Sequence, residues 1–260
     1  MNRHDNTVAV VTGGTQGVGL AISRRLVAEG ARSIVICGRN LSRGQQAAAE
    51  LTALGADCRY VQADMAQPDD CVRVVETALR VFGRVNALVN SAATAPRGTL
   101  LETDLALWEE IMAVNLRGPF LTMQRTVRAL KEAGAPGSIV NILSTNALCG
   151  QTFLTAYSAS KGGLATLTKN VANAYARDRI RCNGIILGWT DTPGEEVIQR
   201  RFHGRDSSWA DEAAQHLPMG QLIHPDELAG LVTYLLSPQS GVITGALIEY
   251  DQFVTGARPE

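Results

Sequence analysis

The chain has 260 residues, 45% of them hydrophobic, enough for one large domain spanning 1–260 with a substantial core, and no compositional break marks a second. Its formal net charge of −1 argues against a nucleic-acid binder, which would need a concentrated basic surface. It has neither a signal-peptide pattern nor an apolar run near the ~20 residues of a membrane span, so a cytoplasmic protein with no membrane partner is expected. Along the chain, short β-rich runs alternate with amphipathic helical patterns. The runs are TVAVVT at 7–12, SIVICG at 33–38, CRYVQA at 58–63, VNALVN at 85–90, SIVNILS at 138–144, IRCNGIIL at 180–187 and ALIEYD at 246–251. Several are apolar on both faces, which predicts a doubly wound α/β fold of the Rossmann-like kind, about seven parallel strands with helices on both faces.

The first run leads into Thr12-Gly13-Gly14-Thr15-Gln16-Gly17-Val18-Gly19 and then a helix. In that context glycines let the backbone approach a pyrophosphate, and the helix start offers it unpaired N–H groups and a positive dipole end. The spacing is G-x-x-x-G-x-G, and Gly13, Thr15, Gln16, Gly17, Val18 and Gly19 are the candidate contacts; a plain glycine-rich turn is the competing reading. The second run ends in Cys37-Gly38-Arg39-Asn40, with no acid where NAD-specific sites place a carboxylate on the ribose 2′-hydroxyl. Gly38 leaves space and Arg39 offers a forked, charge-assisted contact to a 2′-phosphate, with Arg43 as a helper, so NADP is the expected cofactor and NAD the alternative. Asp64, after the third run, and Asn90, closing the fourth, each read as a strand-end turn residue or a cofactor contact.

The stretch TAYSASKGG, 155–163, places Tyr157 and Lys161 one helical turn apart. Counting back from Leu164 by three and seven residues lands on both, so they share the apolar stripe continued by Leu167, Val171 and Tyr175. A snorkelling lysine is the ordinary explanation. The chemical one is that a positive charge about 5 Å from a phenol, at an effective dielectric near 20, favours the phenolate by roughly 3 kcal/mol, or ~2 pKa units. Gly162 and Gly163 would then allow a close neighbour.

Together with Asn115 in IMAVNLRG and Ser144 closing SIVNILS, the glycine loop and the Tyr157–Lys161 pair resemble the short-chain dehydrogenase/reductase family over essentially the whole chain. The resemblance implies a seven-stranded parallel sheet, a nicotinamide cofactor across its carboxyl edge, and a catalytic set of Asn115, Ser144, Tyr157 and Lys161. Tyr157 would be the acid–base group, Ser144 would hold the substrate oxygen, Asn115 would anchor a proton-relaying water, and Lys161 would also grip the nicotinamide ribose. It adds Asp64, Met65, Asn90, Ala92, Gly188, Thr190 and Thr192 to the cofactor contacts and suggests a homotetramer. Two stretches depart from the family: Asn90-Ser91-Ala92-Ala93 stands for its N-N-A-G, and Leu187-Gly188 for its Pro-Gly. Gln16 stands where many NADP-preferring relatives carry a basic residue. Thr192 also heads a capping-box pattern, Thr192-Pro193-Gly194-Glu195, and can simply start a helix.

The irregular region 188–222 reads as a substrate lid. Candidate pocket walls are 94–97, 146–151 and, in the lid, Trp189, Glu195, Glu196, Arg200 and His203, with Ser144, Asn146, Gln151, Tyr157 and Trp189 as substrate contacts. Their polarity points to a sugar, polyol or hydroxy acid, although acids opening and bases closing a helix also complement its dipole without any ligand. Five scattered cysteines, Cys37, Cys58, Cys71, Cys149 and Cys182, read as packing residues, and no cysteine or histidine spacing suggests a metal. The function expected is an NAD(P)-dependent interconversion of a secondary alcohol and a ketone. The alternatives are a 3-oxoacyl-thioester reductase, a non-catalytic nucleotide sensor and a methyltransferase, and the last two have no use for the Tyr–Lys pair.

Overall fold

The computed structural model describes residues 3–206 and 208–256. Seven strands, β1 Val8–Thr12, β2 Ser33–Gly38, β3 Asp57–Gln62, β4 Ala87–Asn90, β5 Gly137–Ile142, β6 Ile180–Leu187 and β7 Leu247–Tyr250, form one parallel sheet in the order β3-β2-β1-β4-β5-β6-β7. Each lies within two residues of its predicted run. The helices are α1 Gly17–Ala28, α2 Leu41–Ala53, α3 Pro68–Phe82, α4 Leu105–Met112, α5 Gly118–Glu132, α6 Thr155–Tyr175, α7 Pro193–His203, α8 Trp209–Gln215 and α9 Pro225–Leu236.

The near-continuous apolar strands are explained by burial on both sides. Val10, Val35, Leu88 and Ile139 point to one core with α3, α5 and α6, whereas Ala9, Val11, Ile34, Ile36, Val89 and Val140 point to another with α1, α2 and α9. Local signals agree with this packing. α3 opens on Pro68, Asp69 and Asp70 and stops at Gly83 in the left-handed region, and α9 opens on Pro225 behind a capping box between His224 and Glu227. Strand order reverses between β1 and β4, which opens a crevice at the carboxyl edge. The register brings Thr12, Asn90, Asn141 and Gly184 level along that edge.

Two features differ from expectation. The region 188–222 is more regular than predicted: α7 and α8 occupy most of it, and Trp209, Ala213, Leu217 and Leu222 form a small core of their own with Trp189 against it. The capping box of α7 is half formed. Thr192 Oγ1 accepts from the Glu195 amide at 3.1 Å, but the Glu195 carboxylate turns away to Trp189 and Gln199.

Candidate active site

The glycine turn is built by sterics. Gly13 has φ +66°, and a Cβ added there would stand 2.9 Å from Ala92 Cα. Both facts require glycine. Gly13→Ala should therefore lower the melting temperature by roughly 5–10 °C, the scale of a left-handed non-glycine residue plus backbone overpacking, and weaken nucleotide binding in the same sample. An unchanged melting curve would show that the loop yields. Gly17 opens α1 at φ +50°, and the first amides of α1, at the carboxyl end of β1, have no partner within the helix and no side-chain cap. Thr12 Oγ1 accepts from the Ser91 and Ala92 amides at 3.1 and 3.2 Å, pinning the loop after β4 to β1. Thr192 lies over the glycine turn: a Cβ on Gly17 would be 3.4 Å from its Cβ.

At the end of β2, Tyr60 Oη donates to the Gly38 and Asn40 carbonyls and Gln62 Nε2 to the Arg39 carbonyl, which fixes the backbone and leaves the Arg39 side chain exposed. Arg43 donates to Gln16 Oε1 across the same opening, so Gln16 holds a cation where a basic residue was absent. The expectation that Gly38 provides free space is corrected: a Cβ there would meet Thr15 Oγ1 at 2.8 Å, so the Thr15 side chain already fills the Cβ side of this glycine. Asp64 Oδ1 accepts from the Ala66 amide at 3.0 Å and shapes a turn, with buried Met65 beside it.

Asn90 is neither a turn residue nor turned toward the crevice. Its Nδ2 donates to Asn141 Oδ1 at 2.8 Å, its Oδ1 accepts from Thr122 Oγ1 at 2.7 Å, and Asn141 continues to Thr168 at 2.9 Å. This buried network ties β4 and β5 to α5 and α6 behind the edge. Asn115 sits in a π-helical turn, Ala113–Arg117, between α4 and α5. Its amide pairs with both the N–H and the C=O of Thr94 at 2.9 Å and donates to Ser160 Oγ at 3.2 Å, so it clamps the loop after β4 onto α6. The extra residue of a π turn is what aims it there.

Ser144 ends β5's extension, its Oγ accepting from the Asn146 amide, and it is close enough to the Tyr157 hydroxyl to pull that phenol's pKa down. Lys161, 3% exposed, places Nζ 5.7 Å from the centre of the Tyr157 ring and donates to the Ile142 carbonyl at 2.8 Å. Burial lowers Lys161 from its ordinary 10.5 to about 8, which leaves it an ammonium at neutral pH. The predicted lowering of Tyr157 is corrected. Burial raises the phenol, outweighing the Ser144 hydroxyl that pulls it down. The ammonium sits under the ring and is engaged by Ile142, which weakens its pull on the hydroxyl. Only one of the two glycines allows a close neighbour: a Cβ on Gly163 would stand 2.9 Å from Leu116, whereas Gly162 has nothing nearer than 3.7 Å.

The lid sorts the candidate walls. Trp189 Nε1 and buried Gln199 Nε2 both donate to Glu195 Oε1, at 3.0 and 2.6 Å, and Trp189 lies against Trp209 with ring centres 6.1 Å apart. Glu196 and Arg200 pair with each other on the exposed face and leave the pocket, as a dipole-complementing pair would. Asn146 reaches Gln151 at 3.5 Å on the opposite wall. Gly188 packs so tightly under Asp251 that a Cβ would come 2.1 Å from its carboxylate, and Thr190 Oγ1 donates back to the Gly188 carbonyl. Arg97 stands over the Phe153 ring, 5.4 Å from its centre, and His203 meets that ring edge-on at 5.6 Å. Thr12, Asn141, Phe153 and Ser160 had not been singled out from sequence; Asn141 carried a signal, as the lone amide inside an apolar strand.

An apolar groove of about 530 Å³ lies elsewhere, between the π turn, α5 and α6, lined by Met112, Leu116, Phe120 and Leu167. Among the described residues no cluster of three or more His, Cys, Asp or Glu side chains could hold a metal ion, and no helix is long and apolar enough to cross a membrane.

A model of the short chain dehydrogenase family matches residues 7–201. The chain belongs to the short-chain dehydrogenase/reductase family. This family member is 37% identical over 240 residues to a 3-alpha-(or 20-beta)-hydroxysteroid dehydrogenase of Mycobacterium bovis, covering 92% of this chain and 85% of that one. It is 34% identical to an L-rhamnose 1-dehydrogenase (NAD(P)(+)) of Azotobacter vinelandii, covering 95% of each. Its fold superposes on a crystal structure of the F189W actinorhodin polyketide ketoreductase with NADPH at a TM-score of 0.89 and 30% identity, over 97% of this chain and 98% of that one. This short-chain dehydrogenase is therefore an NAD(P)-dependent oxidoreductase. Its glycine turn, which Gly13 lets pack directly on the Ala92 backbone and Gly17 carries into the start of α1, fits a dinucleotide.

Proposed function

We propose that this chain interconverts a secondary alcohol and a ketone on a small polar substrate, with Tyr157 as the acid–base group and NADP(H) as the preferred cofactor. The observation that carries the reading is the buried Lys161 ammonium held beneath the Tyr157 ring, beside Ser144, at the same sheet edge as the glycine turn. When bound, the nicotinamide supplies two-electron redox chemistry at the substrate carbon. Tyr157 Oη gives a proton to the carbonyl oxygen in reduction and takes it back in oxidation, and Ser144 holds that oxygen by a hydrogen bond. Asn115 positions the loop at Thr94 and the helix carrying Tyr157, and Lys161 keeps positive charge under the phenol.

The glycine turn and the α1 amides would receive the pyrophosphate. Asp64 would face the adenine end, with its second carboxylate oxygen. Exposed Arg39, together with Arg43 held by Gln16, supports a 2′-phosphate and hence NADP(H). Gly38 cannot be exchanged for an acid without displacing Thr15, so the cofactor test belongs at Arg39. Arg39→Leu should lower the NADPH-to-NADH ratio of kcat/KM by about 10–100-fold, the scale of a lost charged hydrogen bond, with NADH use nearly constant. A wild-type protein that prefers NADH, or a ratio that does not move, sinks the NADP reading. A spectrophotometric screen of sugars, polyols and oxo acids with both cofactors tests the reaction class and substrate together. The apolar groove beside α5 and α6 supports the suggested homotetramer as a contact between copies, which the mass in solution would report.

A further inference from the structure

We propose that Arg97 binds a carboxylate of the substrate, which narrows the substrate class to small hydroxy and oxo acids; this rests on the reading of Tyr157 as the acid–base group. Arg97 lies in the loop after β4 that Asn115 clamps through Thr94, so its position is fixed by the same contact that borders the site. Its guanidinium stacks on Phe153, on which the His203 end of the lid also closes. Nη1 donates to the Ala95 carbonyl at 3.1 Å, while buried Nε has no partner among the described residues. No carboxylate of the described residues comes within ion-pair distance of it. The nearest charged and titratable groups that act on it are Glu195 and Tyr157, and its own charge is felt by His203.

A half-buried guanidinium without a paired acid is costly to keep, because the charge has given up water and received one carbonyl in return. Glu195 repays only part of this: its charge favours the guanidinium, but its Oε1 is held by Trp189 and Gln199 within the lid and it forms no ion pair with Arg97. Nη2 makes no hydrogen bond among the described residues, Arg97 is close enough to Tyr157 and Glu195 for their charges to act on it, and the planar fork of arginine matches a carboxylate. The Phe153 ring, 5.4 Å from the guanidinium carbon and in edge contact with His203 of α7, borders the group on one side. A sugar or polyol has no group that would discharge this site, whereas a hydroxy or oxo acid brings one alongside the oxygen that Tyr157 serves. The balance of the reaction is unaffected: the carboxylate is bound and released unchanged.

The test uses the full chain with saturating cofactor and a panel of 2-, 3- and 4-oxo acids of four to six carbons, each paired with its methyl ester. The expected result is that at least one acid exceeds its ester in kcat/KM by about 10–100-fold, and that Arg97→Met abolishes the preference mainly through KM. Methionine retains the stem's packing on Phe153 and loses the charge. Glu195→Gln separates the competing account: it should lower KM for the acid by removing a like charge, whereas a loss matching that of Arg97→Met would mean Arg97 serves only to hold Glu195. Esters reduced as well as acids across the panel, a preference that survives in Arg97→Met, or turnover of neutral sugars and of no acid would each overturn the assignment. Failure of the parent reading is distinguishable, since it appears as full activity in Tyr157→Phe whatever the substrate charge.

Discussion

Tyr157→Phe is expected to cut turnover at least ~10²-fold while the fold and the affinity for cofactor stay within a few-fold of wild type. The substitution removes one oxygen and little volume, and Tyr157 is only partly exposed, so packing along α6 has no reason to change. The direction of the tyrosine's shift adds a pH signature. Burial raises the phenol above its ordinary value and the Ser144 hydroxyl only partly offsets this, so the group is a stored proton through neutrality. Reduction, which uses the protonated form, should be nearly flat across neutral pH and fall only on the alkaline side. Oxidation, which needs the base, should climb as pH rises. In the phenylalanine variant the residual rate should lose that climb. Steady-state rates in both directions from neutral to alkaline pH, with nucleotide affinity measured by protein fluorescence, would check this. Near-wild-type turnover, or an oxidation profile with the same slope in the variant, would remove Tyr157 from the chemistry.

The strands and the family were legible because their signals are local: β-branched runs apolar on both faces, a glycine turn between strand and helix, and two residues at helical spacing. What was not legible depends on contacts across the sheet. Nothing in the sequence around Asn90 says that its amide will be consumed by Asn141 and Thr122, because those partners are distant in the chain and meet only through the register of β4 on β5 and the docking of α5. The π turn at Asn115 was likewise hidden, since the surrounding pattern is helical and one additional residue per turn leaves no mark in it. Gly38 was misread as room for a phosphate because Thr15 approaches it only after the glycine turn has folded. The electrostatics of Tyr157 turned on burial and on where the Lys161 ammonium sits relative to ring and hydroxyl, and spacing along a helix fixes neither.

Lys161→Met is expected to act in opposite directions on activity and stability. Turnover should fall at least ~10²-fold near neutral pH, because the ammonium that favours the developing phenolate is gone. Stability should rise, because a 3% exposed ammonium is exchanged for an apolar side chain of similar length. Its pKa, about 8 in the folded chain against the ordinary 10.5, means folding works against the charged form by about 3 kcal/mol. The sign follows from proton counting: a base whose folded value is depressed binds more protons when unfolded, so wild-type stability rises with pH through the window between those two values. Below about pH 8 the penalty is present in full, and above 10.5 neither state carries the proton and it is gone. The variant, lacking the group, should therefore melt several degrees above wild type at neutral pH, and the gap should close as pH approaches 10.5. Comparing the two proteins at each pH cancels every other titrating group they share. A variant that keeps its turnover would make Lys161 a packing residue, and a gap in melting temperature that does not narrow with pH would mean that the ammonium is not held at a cost in the folded site.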